Sequence, residues 1–241
     1  MLGHAWLIPA FPIAAFLLIM VCGRFEPLRS RFVSSGGWLA LLGVGASSAV
    51  SLLVAWEVFT GGHTPYEQTW TWFEGATFAF EGGVYLDGLA ALLLIVVGVV
   101  SFLVVMFSVG YMADEGERRI RYYAEICLFV GVMQGLVIAN SFLLLFIFWE
   151  LVGLCSYLLI GFWYEKPSAV SAAKKAFLVT RVGDVFLLFG LVILFNTFGT
   201  LRYSELFADT RFYNGGCETS VGVASGVTKG LPLSWKDPSG G

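Results

Sequence analysis

Ser141 to Trp163 reads SFLLLFIFWELVGLCSYLLIGFW, an apolar run about as long as a helix needs to be to cross a bilayer, and it carries a carboxylate, Glu150, near its centre. A charge at mid-membrane costs roughly 2.5–3.5 kcal/mol on insertion-based scales, so such a residue belongs inside a helix bundle or a wet cavity. That makes Glu150 the first candidate for function. At 100° per residue, Gly153, Tyr157 and Gly161 fall on the same side of the helix as Glu150. This side therefore offers two places for close backbone approach and one hydroxyl, while the opposite side is uniformly apolar.

Working outward, the 241 residues are 58% hydrophobic and 13% charged, with a mean hydropathy of +0.81. Soluble domains carry about 25% charged residues, so the composition is that of an integral membrane protein. The net charge of −3 is small, and Lys and Arg sit in short clusters between apolar runs. Nothing in this distribution suggests a nucleic-acid partner; the clusters read as topology signals. Cys22, Cys127 and Cys155 lie in apolar runs and Cys217 in the polar tail, with no CxxC and only His4 and His63 to complete a metal site. Bound metal is not expected. The first apolar run lacks a basic leader and a small-residue cleavage site, so it reads as a retained helix.

The pattern predicts an all-α polytopic membrane helix bundle of about six transmembrane helices, over 6–22, 37–56, 87–110, 122–139, 141–163 and 171–198. Pro9 and Pro12 fall in the first turns of helix one, where missing N–H groups do least harm. Helix two carries the small residues Gly43, Gly45, Ala46, Ser47 and Ser48, a surface for close packing. Between helices two and three, Trp70, Trp72, Phe78 and Phe80 alternate around Glu74 and Gly75, which predicts a short external β-hairpin. Asp87 is placed to cap helix three. Gly131 and Gly135 in helix four have GxxxG spacing, and Glu125 in its first turn is read as solvated or paired with a nearby arginine.

Helix six is unusual. It holds Lys174, Lys175, Arg181 and Asp184, and only the lysines are close enough to its end to snorkel comfortably. Arg181 and Asp184, three residues apart, can pair along one face, either as working charges or as an ion pair that only fixes packing. On this reading Glu150 has no partner among the six helices. Basic residues number three after helix one, none after helix two, three after helix three, none after helix four and several after helix five. By the positive-inside rule, the amino terminus, the hairpin and the polar Gly-rich tail over 201–241 lie outside, and the basic clusters in the cytoplasm.

Several stretches together resemble one family: VYLDGLAALLL, SVGYMADEGERRIRYYAEICLF, FWELVGLCSYLLIGFWYEKP and AAKKAFLVTRVGD. They are similar to subunit L of the proton-pumping NADH–quinone oxidoreductase, respiratory complex I, over roughly Trp6 to Leu201. The resemblance implies that Glu150 is an essential charge facing a lysine of a seventh helix, and that Arg181 and Asp184 are the charged pair of the TRVGD motif. Lys174 and Lys175 are weaker candidates. It also implies a translocating subunit of the bacterial inner membrane with no redox centre of its own, NADH, FMN, iron–sulfur clusters and quinone belonging to other subunits. The partners so implied are the other membrane subunits of complex I, above all other antiporter-like ones, together with membrane lipids. The family continues into a lysine-bearing seventh helix and a second inverted half, which this sequence does not contain. It is therefore expected to correspond to the N-terminal part of such a subunit.

Three functions fit these features. The first is proton translocation coupled to NADH oxidation and quinone reduction, the second a subunit of a multi-subunit cation/proton antiporter, and the third a structural membrane module whose charges secure helix packing.

Overall fold

The computed structural model describes residues 2–24, 26–61, 65–74 and 79–208, with side chains given outside 24–35 and 71–81. The expected features at His63, Gly75, Cys217 and the glycines of 209–241, and the side chains of Trp72, Phe78 and Phe80, lie outside the described residues. The chain is built from α1 (Leu7–Arg24), α2 (Glu26–Gly61), β1 (Tyr66–Glu74), β2 (Ala79–Leu86), α3 (Gly88–Tyr111), α4 (Arg118–Val137), α5 (Phe142–Ile160), α6 (Pro167–Phe198) and α7 (Tyr203–Ala208). Among the described residues, six helices are long and apolar enough to cross a membrane. The expected polytopic bundle with a hairpin after its second helix is what forms.

The helix ends differ from the expected ones where polar residues extend a helix beyond its apolar run. α2 starts at Glu26 rather than near Gly37, α4 at Arg118 rather than Tyr122, and α6 at Pro167 rather than Ser171. Hydropathy marks the part of a helix that sits in lipid. Hydrogen bonding continues past it, and Pro167 at the helix start donates nothing that the first turn needs. Other ends follow their capping residues. Asp87 accepts from the Ala90 amide at 2.7 Å, as expected of a cap, Ser141 caps α5 by accepting from Leu144 at 3.3 Å, and Gly199 closes α6 in the left-handed conformation at φ 76°.

The core lies among α1, α2 and α4, with Ala15, Ile19, Val44, Cys127 and Val130 all buried. Small residues set the spacing. A Cβ on Gly43 would lie 2.5 Å from that of Ala15, and one on Gly131 would lie 2.7 Å from Ile13 Cγ1. The GxxxG pair is divided between neighbours, because Gly135 receives the ring of Phe148 from α5. A polar link crosses the same core. Pro12 has no N–H to give to the carbonyl of Ile8 one turn earlier, and Ser47 of α2 donates to that carbonyl at 2.6 Å. The Ser47 hydroxyl also lies 2.7 Å from the amide oxygen of Gln134 on α4. One side chain thus fills a gap left by proline and joins three helices.

The remaining helices are added outward: α3 on α2, α5 on α4, and α6 on α5. Half of the apolar window of α4 is buried, against 11% for α5 and for α6, so the α5–α6 layer forms one rim of this bundle. At the hairpin end, β1 and β2 pair antiparallel from Tyr66↔Leu86 to Glu74↔Ala79, with a register shift between Thr71 and Phe73. The turn between α4 and α5 joins this sheet, since Tyr85 N donates to Ile138 O at 2.9 Å. It pairs on its other side with the segment after α6, where Phe142 N donates to Leu201 O at 3.0 Å and Tyr203 N to Asn140 O at 3.2 Å. Residues 201–208 are thus docked rather than loose. Leu206 is fully buried, Arg202 pairs with Glu67 at 3.1 Å, and burial pushes the Tyr203 phenol up to about 12.

Candidate functional site

The apolar composition of α5 leaves Glu150 as its charged residue, and the geometry gives it a partner that the sequence did not reveal. Arg181 of α6 reaches across to α5, where its Nη1 forms an ion pair with Glu150 Oε2 and its Nη2 donates to the Glu150 main-chain carbonyl at 3.2 Å. Glu150 is therefore paired within the six helices, which corrects the expectation that its partner lies only on a seventh. Gly153 permits this approach. A Cβ there would stand 3.0 Å from Arg181 Nη2, tighter than side chains normally come. The face of α5 that bears Glu150, Gly153, Tyr157 and Gly161 is thus the face that meets α6. Tyr157 packs on Phe177 with ring centroids 5.3 Å apart, and Gly161 leaves room for Ala173.

Asp184 occupies the other side of Arg181. Its carboxylate is buried and accepts from Trp149 Nε1 at 3.0 Å. Its distance to Arg181 Nε is 3.7 Å, an ion pair longer than a hydrogen bond. The guanidinium stacks over the Phe177 ring at 4.5 Å, a contact favoured by the negative ring face. Arg181 is consequently held between two carboxylates and sits closer to Glu150. Neither Trp149 nor Phe177 stood out in the sequence as part of this site. Both are common apolar residues in apolar runs, and only the packing of α5 on α6 shows which ring lies near a charge. Lys174 and Lys175 do not join the triad; they are exposed and line an open groove with Tyr164, Glu165 and Ser171 at the basic end of the bundle.

Glu125, read from sequence as solvated or paired with a nearby arginine, is paired with one. Its side chain is 9% exposed and its Oε1 lies 2.9 Å from Arg121 Nε, one turn away on α4. Arg121 also donates to the Phe162 carbonyl at 2.9 Å and stacks over the rings of Phe162 and Tyr164.

Two family descriptions match this chain. Residues 139–225, which include the whole triad, match the transmembrane family of NADH:quinone oxidoreductase and Mrp antiporters. Residues 72–123 match the N-terminus of chain 5 of NADH-ubiquinone oxidoreductase, complex I. Over these two stretches the chain is similar to the membrane subunits of NADH:quinone oxidoreductases and Mrp antiporters. Among its relatives, NADH-quinone oxidoreductase subunit L of Mycobacterium tuberculosis is 37% identical over 220 residues, 91% of this chain and 34% of that protein. F(420)H(2) dehydrogenase subunit L of Methanosarcina mazei is 41% identical over 205 residues, 85% of this chain and 29% of that protein. A solved Mrp complex from a Dietzia species shares the fold with a TM-score of 0.67 at 23% identity, over 87% of this chain and 22% of that one. The chain spans about a third of the length of the curated relatives it matches. This similarity agrees with the bundle itself, a multi-pass membrane protein with charges buried between apolar helices.

Proposed function

We propose that this protein serves as a proton-translocating membrane subunit of an NADH–quinone oxidoreductase of the bacterial inner membrane, in which Glu150, Arg181 and Asp184 move protons. The observation that carries this reading is the position of Arg181 between two carboxylates on different helices, in an ion pair with each. A proton that arrives on Glu150 removes the charge that holds Arg181 on α5. The guanidinium is then drawn to Asp184, which Trp149 keeps in place. A return of Arg181 displaces the proton from Glu150. Electrostatic shifts from neighbouring antiporter-like subunits can bias such a two-state element, and redox chemistry is left to other subunits. The relatives named for NADH and for F(420)H(2) support this division, since similar membrane subunits accompany different electron donors.

Glu150→Gln keeps the shape of the side chain and removes its titrating charge. In membranes carrying the assembled complex, NADH-driven acidification should be nearly lost while the complex remains present. Undiminished pumping by the fully assembled Gln variant contradicts the proposal. Proton exchange driven by Na⁺ or K⁺ without an electron donor would point instead to the antiporter branch of the family.

The amino terminus and the hairpin are proposed to face outside, with the basic end of the bundle in the cytoplasm, because the clusters at Arg118, Arg119 and Arg121 and at Lys166, Lys174 and Lys175 share that end. A single cysteine at Glu74, in a chain without its native cysteines, should react with an impermeant maleimide on intact cells. Reaction confined to inverted vesicles would reverse the topology.

A further inference from the structure

Between α4, α5 and α6 at the basic end lies a cavity of about 310 Å³, lined by Arg121, Glu125, Tyr157, Gly161, Tyr164 and Val170. Its lining is mostly apolar, with polar groups brought by Arg121, Glu125, Tyr157 and Tyr164. Glu125 brings a side chain that is nine-tenths buried, and its Oε2 has no hydrogen-bond partner among the described residues. A buried carboxylate oxygen left without a donor is costly in a dry apolar setting, whereas a cavity of this size holds several water molecules. Arg121 on its own helix pairs with Glu125, Cys155 of α5 is near enough to feel its charge, and Tyr157 and Tyr164 line the same cavity. Tyr157 lies on the face of α5 that also carries Gly153 and Glu150, and its ring rests on Phe177, which in turn supports Arg181. From Tyr157 to Glu150 the rise along the helix is about 10 Å, a span that a short chain of waters can bridge.

We infer that this cavity is a hydrated antechamber in which Glu125 accepts a proton from water at the basic end and passes it, by way of water beside Tyr157, to Glu150. In the first step a hydronium ion gives its proton to Glu125 Oε2 and leaves as water. In the second, Glu125 releases the proton into the water chain and regains its charge opposite Arg121, while Glu150 is neutralised. Arg121 has a positioning role. Its ties to the Phe162 carbonyl and to the rings of Phe162 and Tyr164 hold it at the mouth, where it keeps Oε1 engaged and leaves Oε2 free. The inference rests on the proposed role of Glu150, and the two are separable by experiment.

Pumping is compared for Glu125→Gln, Glu125→Asp and Glu150→Gln in membranes carrying the assembled complex. The Gln change at Glu125 should lower pumping severalfold, with recovery by Asp, while Glu150→Gln abolishes it. Full pumping by Glu125→Gln beside a dead Glu150→Gln overturns the antechamber alone; full pumping by Glu150→Gln overturns the proposed function. Because Glu125→Gln can fail to assemble, the water content of the cavity is tested without touching it. A cysteine at Val170, with the native cysteines removed, should react with a small charged methanethiosulfonate added from the basic side, and Tyr157→Trp should block that reaction by filling the space. An unreactive Val170→Cys shows a dry cavity and overturns the inference.

Discussion

Two charged clusters of the bundle each pair an arginine with a carboxylate, yet they are built differently. Arg121 and Glu125 lie one turn apart on α4, the most buried of the six long helices, so their separation is fixed by the helix itself. Glu150 and Arg181 come from different helices, and their contact exists only while α5 and α6 keep their present relation. A pair within one helix holds a local charge in place. A pair between helices also reports their relative position, and a second acceptor, Asp184, gives its cation somewhere else to go. The difference teaches where movement can be coupled to charge in this protein: at the rim formed by α5 and α6, not in the tightly packed α4.

This contrast can be broken at several points. Arg181→Ala should have the largest effect, since it leaves Glu150 and Asp184 facing each other without a cation. Losing one partner of a largely buried pair costs about 2–5 kcal/mol, seen as reduced recovery of intact complex after mild heating in detergent and as absent pumping. An Arg181→Ala protein as stable as the Arg121 variant described below would remove the distinction between the two clusters. Asp184→Asn should be milder. The Asn oxygen can still accept from Trp149, and Arg181 retains Glu150, so assembly is expected to be normal and pumping to fall severalfold; wild-type rates would exclude Asp184 as the second station. The smallest effect belongs to Arg121→Gln. Its side chain is 41% exposed, and the cavity inferred above brings water to the Glu125 carboxylate left behind, so losing this pair within one helix is expected to cost about 1 kcal/mol or less, readable as a small shift in thermal midpoint.

The legibility of these features in the sequence follows from the range of the forces involved. Glu150 stood out because desolvation acts on a single residue in its own apolar run, and Asp87 as a cap because capping is a contact three residues away. The hairpin was visible in the alternation of aromatics on either side of Glu74 and Gly75. The docking of 201–208 was not. It rests largely on main-chain hydrogen bonds, from Phe142 N to the Leu201 carbonyl and from Tyr203 N to the Asn140 carbonyl, and backbone pairing at a sheet edge leaves no side-chain pattern to read. The role of Ser47 was hidden for a similar reason. In the sequence it belongs to a run of small residues, and only the approach of α1 shows that it bonds to the carbonyl freed by Pro12.

By itself, then, the sequence determined the number and order of the membrane helices, the hairpin between the second and third, and which residues carry charge into the apolar layer. These depend on the length, polarity and local periodicity of segments, and lipid imposes them on each helix separately. The tertiary structure alone decided that Arg181 turns to Glu150 more closely than to Asp184, that Trp149 and Phe177 support the site, and that Glu125 borders a cavity. Such choices depend on how far one helix is rotated and how deeply it is set against its neighbour. A glycine at 153 permits the close approach of Arg181, but the neighbour that uses it is chosen by the packing of the whole bundle.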